Sequence, residues 1–233
     1  EAGPAEVRRT THAFNLMQDR LRRFVEDRTA MLAAVSHDLR TPITTLRLRA
    51  ELLDDEEARA KLLETLDEMQ RMVEATLAFT REEASREETR RIDLVALVES
   101  VCADLVDLGH DVTVAPAGKL AVACRPLALR RAVRNLVENA CRYGARARVA
   151  IEPAGGEVRI AIADDGPGIR EADLERVFAP FVRLEESRST ETGGIGLGLA
   201  IARTIARAHG GDVRLANRSG GGLTATLSLP VGG

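Results

Sequence analysis

The chain is 233 residues long, 45% hydrophobic and 30% charged, with a formal net charge of −3. That length allows one or two domains with a substantial core, and the near balance of charge argues against a broad nucleic-acid footprint. Cys102, Cys124 and Cys141 are odd in number and lack metal-like spacing, which fits a reduced, cytoplasmic compartment. No apolar run approaches the ~18 residues of a membrane span, and no signal peptide is visible. Because the chain opens on Glu1 rather than Met, it reads as a fragment, and an upstream membrane anchor stays open.

Residues 5 to 85 read as helical. Met17, Leu21, Phe24, Met31, Val35, Leu39, Leu46, Ala50 and Leu53 advance mostly by threes and fours, and Leu62, Leu66, Met69, Val73 and Leu77 repeat the pattern. The acidic stretch Asp54-Asp55-Glu56-Glu57 between them reads as a turn or helix start. A hairpin of two such helices leaves too much apolar stripe exposed. Pairing two hairpins closes a four-helix bundle, so the expectation is a homodimer.

Residues 81–91 are charged, lack periodicity and read as a linker. Beyond them the pattern mixes helix and strand. Segments 146–152 and 158–162 alternate around Gly155-Gly156, a hairpin signal. Residues 125–143 and 195–209 read as helices, with strands near 212–217 and 223–229. The expected fold class is α + α/β: a helical-hairpin dimerisation domain, then an α/β sandwich of roughly 140 residues with helices on one face of a mixed sheet.

Two regions carry chemistry. The first is Ser36-His37-Asp38-Leu39-Arg40-Thr41-Pro42. Val35 and Leu39 lie on the apolar stripe, so His37 should project from the flank, with Thr41 one turn further on the same face. Pro42 removes a backbone hydrogen bond and should bend the helix just after the site. A carboxylate bonded to one ring nitrogen fixes the tautomer and leaves the other nitrogen free to attack phosphorus. This string resembles the phosphoacceptor motif of two-component sensor histidine kinases. The resemblance implies catalytic roles for His37, Asp38 and Thr41: Asp38 assists phosphotransfer, and Thr41 positions water for removing phosphate from the response regulator. His12, His110 and His209 have no such context and read as structural or surface residues.

The second region has three parts. Asn135, Glu138, Asn139, Arg142 and Tyr143 share a helix face at spacings of three and four, and side-chain amides suit a hydrated Mg²⁺ beside a triphosphate. Asp164-Asp165-Gly166-Pro167-Gly168-Ile169 follows a strand, where a carboxylate can accept from an exocyclic amine and glycines let the backbone approach the base. Gly193-Gly194-Ile195-Gly196-Leu197-Gly198 opens a helix and exposes amides that can hold phosphates. In this order the three resemble the ATP-binding fold shared by histidine kinases, gyrase, Hsp90 and mismatch-repair ATPases.

That resemblance implies ATP with Mg²⁺. It assigns Asp165 to the adenine amine, Asn139 to the metal, and Asn135, Arg142 and Tyr143 to the surroundings of phosphates and base. Gly166, Gly168, Gly194, Gly196 and Gly198 line the nucleotide, residues 183–194 form a lid, and Phe178, Pro180 and Phe181 match the aromatic segment ahead of it. For the two phenylalanines, core packing and contact with the other domain both stay open. Hydrolysing members place a glutamate where this chain has Asn135, and a neutral amide cannot take the proton from water, so hydrolysis is disfavoured. Glu138 should point elsewhere, with a part in activating the histidine or binding metal left open. One departure is Arg125-Pro126, where the family often has Asp-Pro, and this puts the helix cap in doubt.

Residues 3–28 resemble the last helix of a HAMP linker, the other reading being an extension of the coiled coil. The expected domains are 1–28 (end of a HAMP linker), 29–88 (dimerisation and phosphoacceptor) and 91–233 (ATP-binding). The whole resembles the cytoplasmic transmitter of an inner-membrane sensor kinase. Such a chain phosphorylates His37 and passes the group to a response-regulator aspartate, with exposed residues such as Thr44, Arg47 and Arg49 choosing the regulator. The rivals are an ATP hydrolase of the same superfamily and a non-catalytic dimeric relay.

Overall fold

A computed structural model describes residues 5–83, 87–184 and 196–231. The chain divides into two compact units, Glu1–Ser85 and Arg86–Gly233.

The first unit is a hairpin of α1 (Ala5–Glu51) and α2 (Glu56–Glu83). α1 continues through residue 28 and carries Pro42 inside it. At the turn Asp55 caps α2, its Oδ1 accepting from the amides of Glu57 and Ala58, both at 3.0 Å. Glu56 and Glu57 place negative charge where the helix dipole is positive. Ile43, Ala50 and Leu66 are buried between the helices, with Leu63 and Val73 against them, and Arg47 reaches Asp67 across the hairpin at 2.8 Å. The apolar series read from the sequence therefore divides. Ala50 and Leu66 are internal, whereas Met31 (69% exposed), Val35, Leu39, Leu46 and Leu53 face outward in the single chain.

The second unit is a two-layer α/β sandwich. It comprises β1 (Arg90–Asp93), α3 (Leu94–Asp107), β2 (Asp111–Val114), β3 (Ala121–Cys124), α4 (Pro126–Gly144), β4 (Arg146–Ala154), β5 (Glu157–Ala163), α5 (Gly198–Ala208), β6 (Asp212–Asn217) and β7 (Leu223–Pro230). Five strands run in the order β2-β4-β5-β7-β6, while β1 and β3 form a separate pair. Only β2 and β4 are parallel; the other neighbours are antiparallel. Gly155 and Gly156 both take positive φ (56° and 92°), the backbone that a two-residue hairpin between β4 and β5 needs. One sheet face is apolar: Ala147, Val149, Val158, Ile160, Ile162, Leu227 and Leu229 are buried, alternating with outward residues that are polar or alanine. α3, α4 and α5 all cover that face. Burial pushes the Cys102 and Cys124 thiols up to about 11, so they stay protonated and unreactive.

The doubtful cap at Arg125-Pro126 has a physical resolution. Arg125 makes no side-chain cap to α4. Instead Glu87, far back in the chain, accepts from Leu127 N–H at 2.7 Å and Ala128 N–H at 3.0 Å. His209 Nε2 accepts the Arg125 N–H at 2.9 Å, which leaves the ring proton on Nδ1 to donate to the Ile205 carbonyl at 2.7 Å. Glu87 thus satisfies the two amides that a local aspartate would otherwise hold, and His209 holds the amide of the cap residue itself. Glu87→Ala is expected to cost about 1–2 kcal/mol in thermal or urea denaturation, and adding Arg125→Asp should recover most of it. No loss in the single variant would show that the cap contributes nothing.

Candidate active site

α4 is the spine of the region where the sequence places a nucleotide. Its inner face buries Leu129, Ala132, Val133, Leu136, Val137 and Ala140, which leaves Asn135 and Asn139 half-buried at its margin. Asn135 Nδ2 is buried and has no hydrogen-bond partner, an orphaned donor of the kind that marks an unfilled polar site. Beside it lies the start of α5: a Cβ at Gly198 would sit 3.8 Å from Asn135 Cβ and 3.9 Å from Cγ. Gly196 has φ +76°, and a Cβ there would be 2.8 Å from the Val182 carbonyl. Gly194, and residues 185–194 of the expected lid, lie outside the described residues. Glu138 is turned to Arg134, accepting from its Nε at 2.7 Å.

At its other end α4 abuts the loop after β5. A Cβ at Gly144 would lie 2.4 Å from Asp164 Cβ and 2.7 Å from the Asp165 amide, and one at Gly166 would lie 2.7 Å from the Tyr143 carbonyl. Only glycines permit this approach. Tyr143 is half-buried and Arg142 exposed.

The structure does not turn the Asp165 side chain toward α4. Its carboxylate is taken by Arg148, with one oxygen 2.8 Å from Arg148 Nη1, and by Arg218 Nη1 at 3.1 Å. Arg148 stands between the buried Ala147 and Val149 on β4, so it projects from the sheet face opposite the helices. The Arg148 hydrogen bond is the main cause of the Asp165 pKa falling to about 2. The carboxylate beside α4 is instead Asp164, which is 6% exposed. Its Oδ1 accepts from Gly166 N–H at 2.8 Å and Leu223 N–H at 3.0 Å, and no donor among the described residues takes Oδ2. The signal was present in the sequence. Val158, Ile160 and Ile162 are the buried positions of β5, and the next residue of that parity is Asp164.

Residues 175–178, which follow this loop, are held by Arg203. It lies over the Phe178 ring at 4.1 Å and bonds Glu175 Oε2 at 2.6 Å and Asp212 Oδ1 at 2.9 Å. These bonds hold the Asp212 and Glu175 carboxyls below the usual carboxylate range. Phe178 is buried, whereas Phe181 is 54% exposed with φ +64°, a strained backbone for a bulky residue. The two phenylalanines expected together thus have different surroundings.

In the helical unit, Asp38 and Thr41 are exposed on α1. The side chain of His37 lies outside the described residues, although its backbone is helical. Around Pro42, the hydroxyls of Thr44 and Thr45 donate to the carbonyls of Arg40 (2.9 Å) and Thr41 (3.0 Å).

Two family models match the two units. Residues 27–85 match the His Kinase A (phospho-acceptor) domain, and residues 124–233 match the histidine kinase-, DNA gyrase B-, and HSP90-like ATPase. The chain is 41% identical over 230 residues to the sensor histidine kinase GtrS of Pseudomonas aeruginosa, covering 99% of this chain and 48% of that protein. It is 34% identical over 242 residues to the sensor histidine kinase CpxA of Escherichia coli, covering 99% and 53%. The chain belongs to the sensor histidine kinase family. It spans about half the length of these curated relatives. Solved structures of histidine kinases carry the same fold. Full-length ShkA in complex with AMPPNP superimposes with a TM-score of 0.63 at 26% identity, over 86% of this chain and 45% of that one. Acinetobacter baumannii AdeS gives 0.61 at 25% identity, over 84% and 98%. Among the described residues, no helix of this kinase region is long and apolar enough to cross a membrane.

Proposed function

We propose that the chain binds ATP with Mg²⁺ along α4 and transfers the γ-phosphoryl group to His37, as the transmitter of a sensor kinase. The observation that carries this reading is the layout of α4. A buried carboxylate, Asp164, lies at its C-terminal end, and the orphaned Asn135 amide meets the glycine start of α5 nine residues earlier. At 1.5 Å per residue that separation is about 13 Å, the scale of an extended nucleoside triphosphate. Asp164 accepts from the adenine amine, with Gly166 and Gly168 letting the base approach. Asn139 holds the metal with Asn135 beside it, Arg142 and Tyr143 flank the phosphates and base, and the amides after Gly194, Gly196 and Gly198 take the phosphates. The donor set fits Mg²⁺, since neutral amides leave the negative charge to the triphosphate. Bound there, Mg²⁺ supplies charge neutralisation on the phosphate oxygens.

In the transfer, the lone pair of a His37 ring nitrogen forms the N–P bond as the bond from γ-phosphorus to the bridging oxygen breaks and ADP leaves. Asp38 takes the proton of the other nitrogen, and Thr41 positions water when the regulator is dephosphorylated. Asn135 cannot act as a general base toward water, so phosphoryl transfer outruns hydrolysis. A response-regulator aspartate then accepts the group. The outward apolar stripe of Met31, Val35, Leu39, Leu46 and Leu53 supports pairing of two hairpins into a four-helix bundle. Residues 1–28 serve as the end of a HAMP linker, 29–88 as the dimerisation and phosphoacceptor domain and 91–233 as the ATP-binding domain, in the cytoplasmic part of an inner-membrane protein.

The test is a product balance. With γ-labelled ATP and no regulator, phosphoprotein is expected to form first, and early free phosphate should stay below it. Rapid phosphate release in large excess over phosphoprotein would favour hydrolysis.

A further inference from the structure

The nucleotide loop is not self-supporting, because its backbone is held by the hairpin joining β6 to β7. Asn217, the last residue of β6, bonds both polar groups of Ile169: its Oδ1 accepts the Ile169 N–H at 2.9 Å, and its Nδ2 donates to the Ile169 carbonyl at 2.6 Å. The same Oδ1 would be 2.7 Å from a Cβ at Gly168, where φ is +76°. Arg218 Nη1 donates to the Asp164 carbonyl at 2.7 Å and to Asp165 Oδ1 at 3.1 Å. Gly222 runs so close that a Cβ would fall 2.1 Å from the Asp164 carbonyl. Leu223 pairs with Asp164 through its N–H on Oδ1 at 3.0 Å and its carbonyl on the Asp164 N–H at 2.9 Å.

Resting on the reading of Asp164 as the adenine acceptor, we propose that Asn217 and Arg218 are positioning residues for base recognition. They clamp the loop from behind so that Asp164 Oδ2 is aimed at the adenine amine. A carboxylate discriminates between bases only if its direction is fixed, because a free rotor satisfies an amine or a water equally well. Asn217 anchors the far end of the loop at Ile169, and Arg218 anchors the near end at Asp164.

The experiment uses the full 233-residue chain as wild type, Asn217→Ala, Asn217→Asp and Asp164→Asn. ADP affinity is measured by calorimetric titration and GDP affinity by displacement of labelled ADP, with the ligand-free thermal midpoint recorded for each. Asn217→Ala is expected to weaken ADP about tenfold, as loss of the two bonds frees the loop. GDP, which offers a carbonyl in place of the amine, should change little, so the ADP:GDP ratio falls. Asn217→Asp keeps the acceptor for Ile169 N–H but sets a carboxylate against the Ile169 carbonyl, and it should show the same fall in ratio. That variant decides the question if the alanine variant fails to fold. ADP affinity within twofold of wild type, or equal losses for ADP and GDP, would overturn the clamp. If wild type fails to bind ADP, or Asp164→Asn binds it normally, the underlying reading of Asp164 falls and the clamp falls with it.

Discussion

Asp164→Asn is expected to abolish measurable ADP binding, whereas Asp165→Asn should leave affinity within about threefold of wild type. The two residues are adjacent, so the contrast isolates orientation. An asparagine at 164 keeps a carbonyl oxygen for the Gly166 and Leu223 amides, so the loop should still fold. It puts an NH₂ where the second carboxylate oxygen stood, however, and sets donor against donor at the adenine amine. Losing a charge-assisted bond and gaining that conflict costs about 3–5 kcal/mol, or roughly two to four decades in affinity. Asp165 contributes to the outer face instead. Its folded pKa lies below the ordinary carboxylate value, so its stabilisation is complete above about pH 4 and lost as pH falls toward 2. Calorimetric titration of both variants decides it. Loss of binding in Asp165→Asn with retention in Asp164→Asn would reverse the assignment.

Gly144→Ala is the second substitution with a large expected effect. The added methyl would stand 2.4 Å from Asp164 Cβ and 2.7 Å from the Asp165 amide. Neither is the flexible end of a side chain, so α4 and the loop must move apart. Overpacking of this kind costs about 1–3 kcal/mol in stability, and the displacement should weaken ADP by at least about tenfold, because α4 and the loop supply opposite ends of the nucleotide site. Gly118→Ala is the control, since a Cβ there meets nothing within 4 Å. Wild-type thermal midpoint and ADP affinity in Gly144→Ala would refute the close packing.

Much of this was legible in the sequence where periodicity ran long enough. α4 has a sustained apolar stripe, and the β4–β5 hairpin alternates on both sides of a Gly-Gly turn. β1, β2 and β3 have four residues each, too few for alternation to stand out. α3 carries Ala96, Leu97, Ala103 and Val106 outside its buried set, which blurs its stripe. In the candidate site, the α4 residues stand out in the sequence because their spacing carries the information. Asp164 and Asp165 compete for one proposed role, and in the sequence only strand parity separates them. Glu87, His209, Asn217 and Arg218 act on partners dozens of residues away, and no local pattern announces such contacts.

Phosphoryl transfer to His37 is the reaction on which the proposed function rests. It is tested most directly by incubating the chain and its His37→Gln variant with γ-labelled ATP and Mg²⁺, then treating the labelled protein with acid and with base. Acid-labile, base-stable label in the wild type and none in the variant is the expected result. Label that survives the substitution, or no label on a wild-type chain that binds ATP, would contradict it.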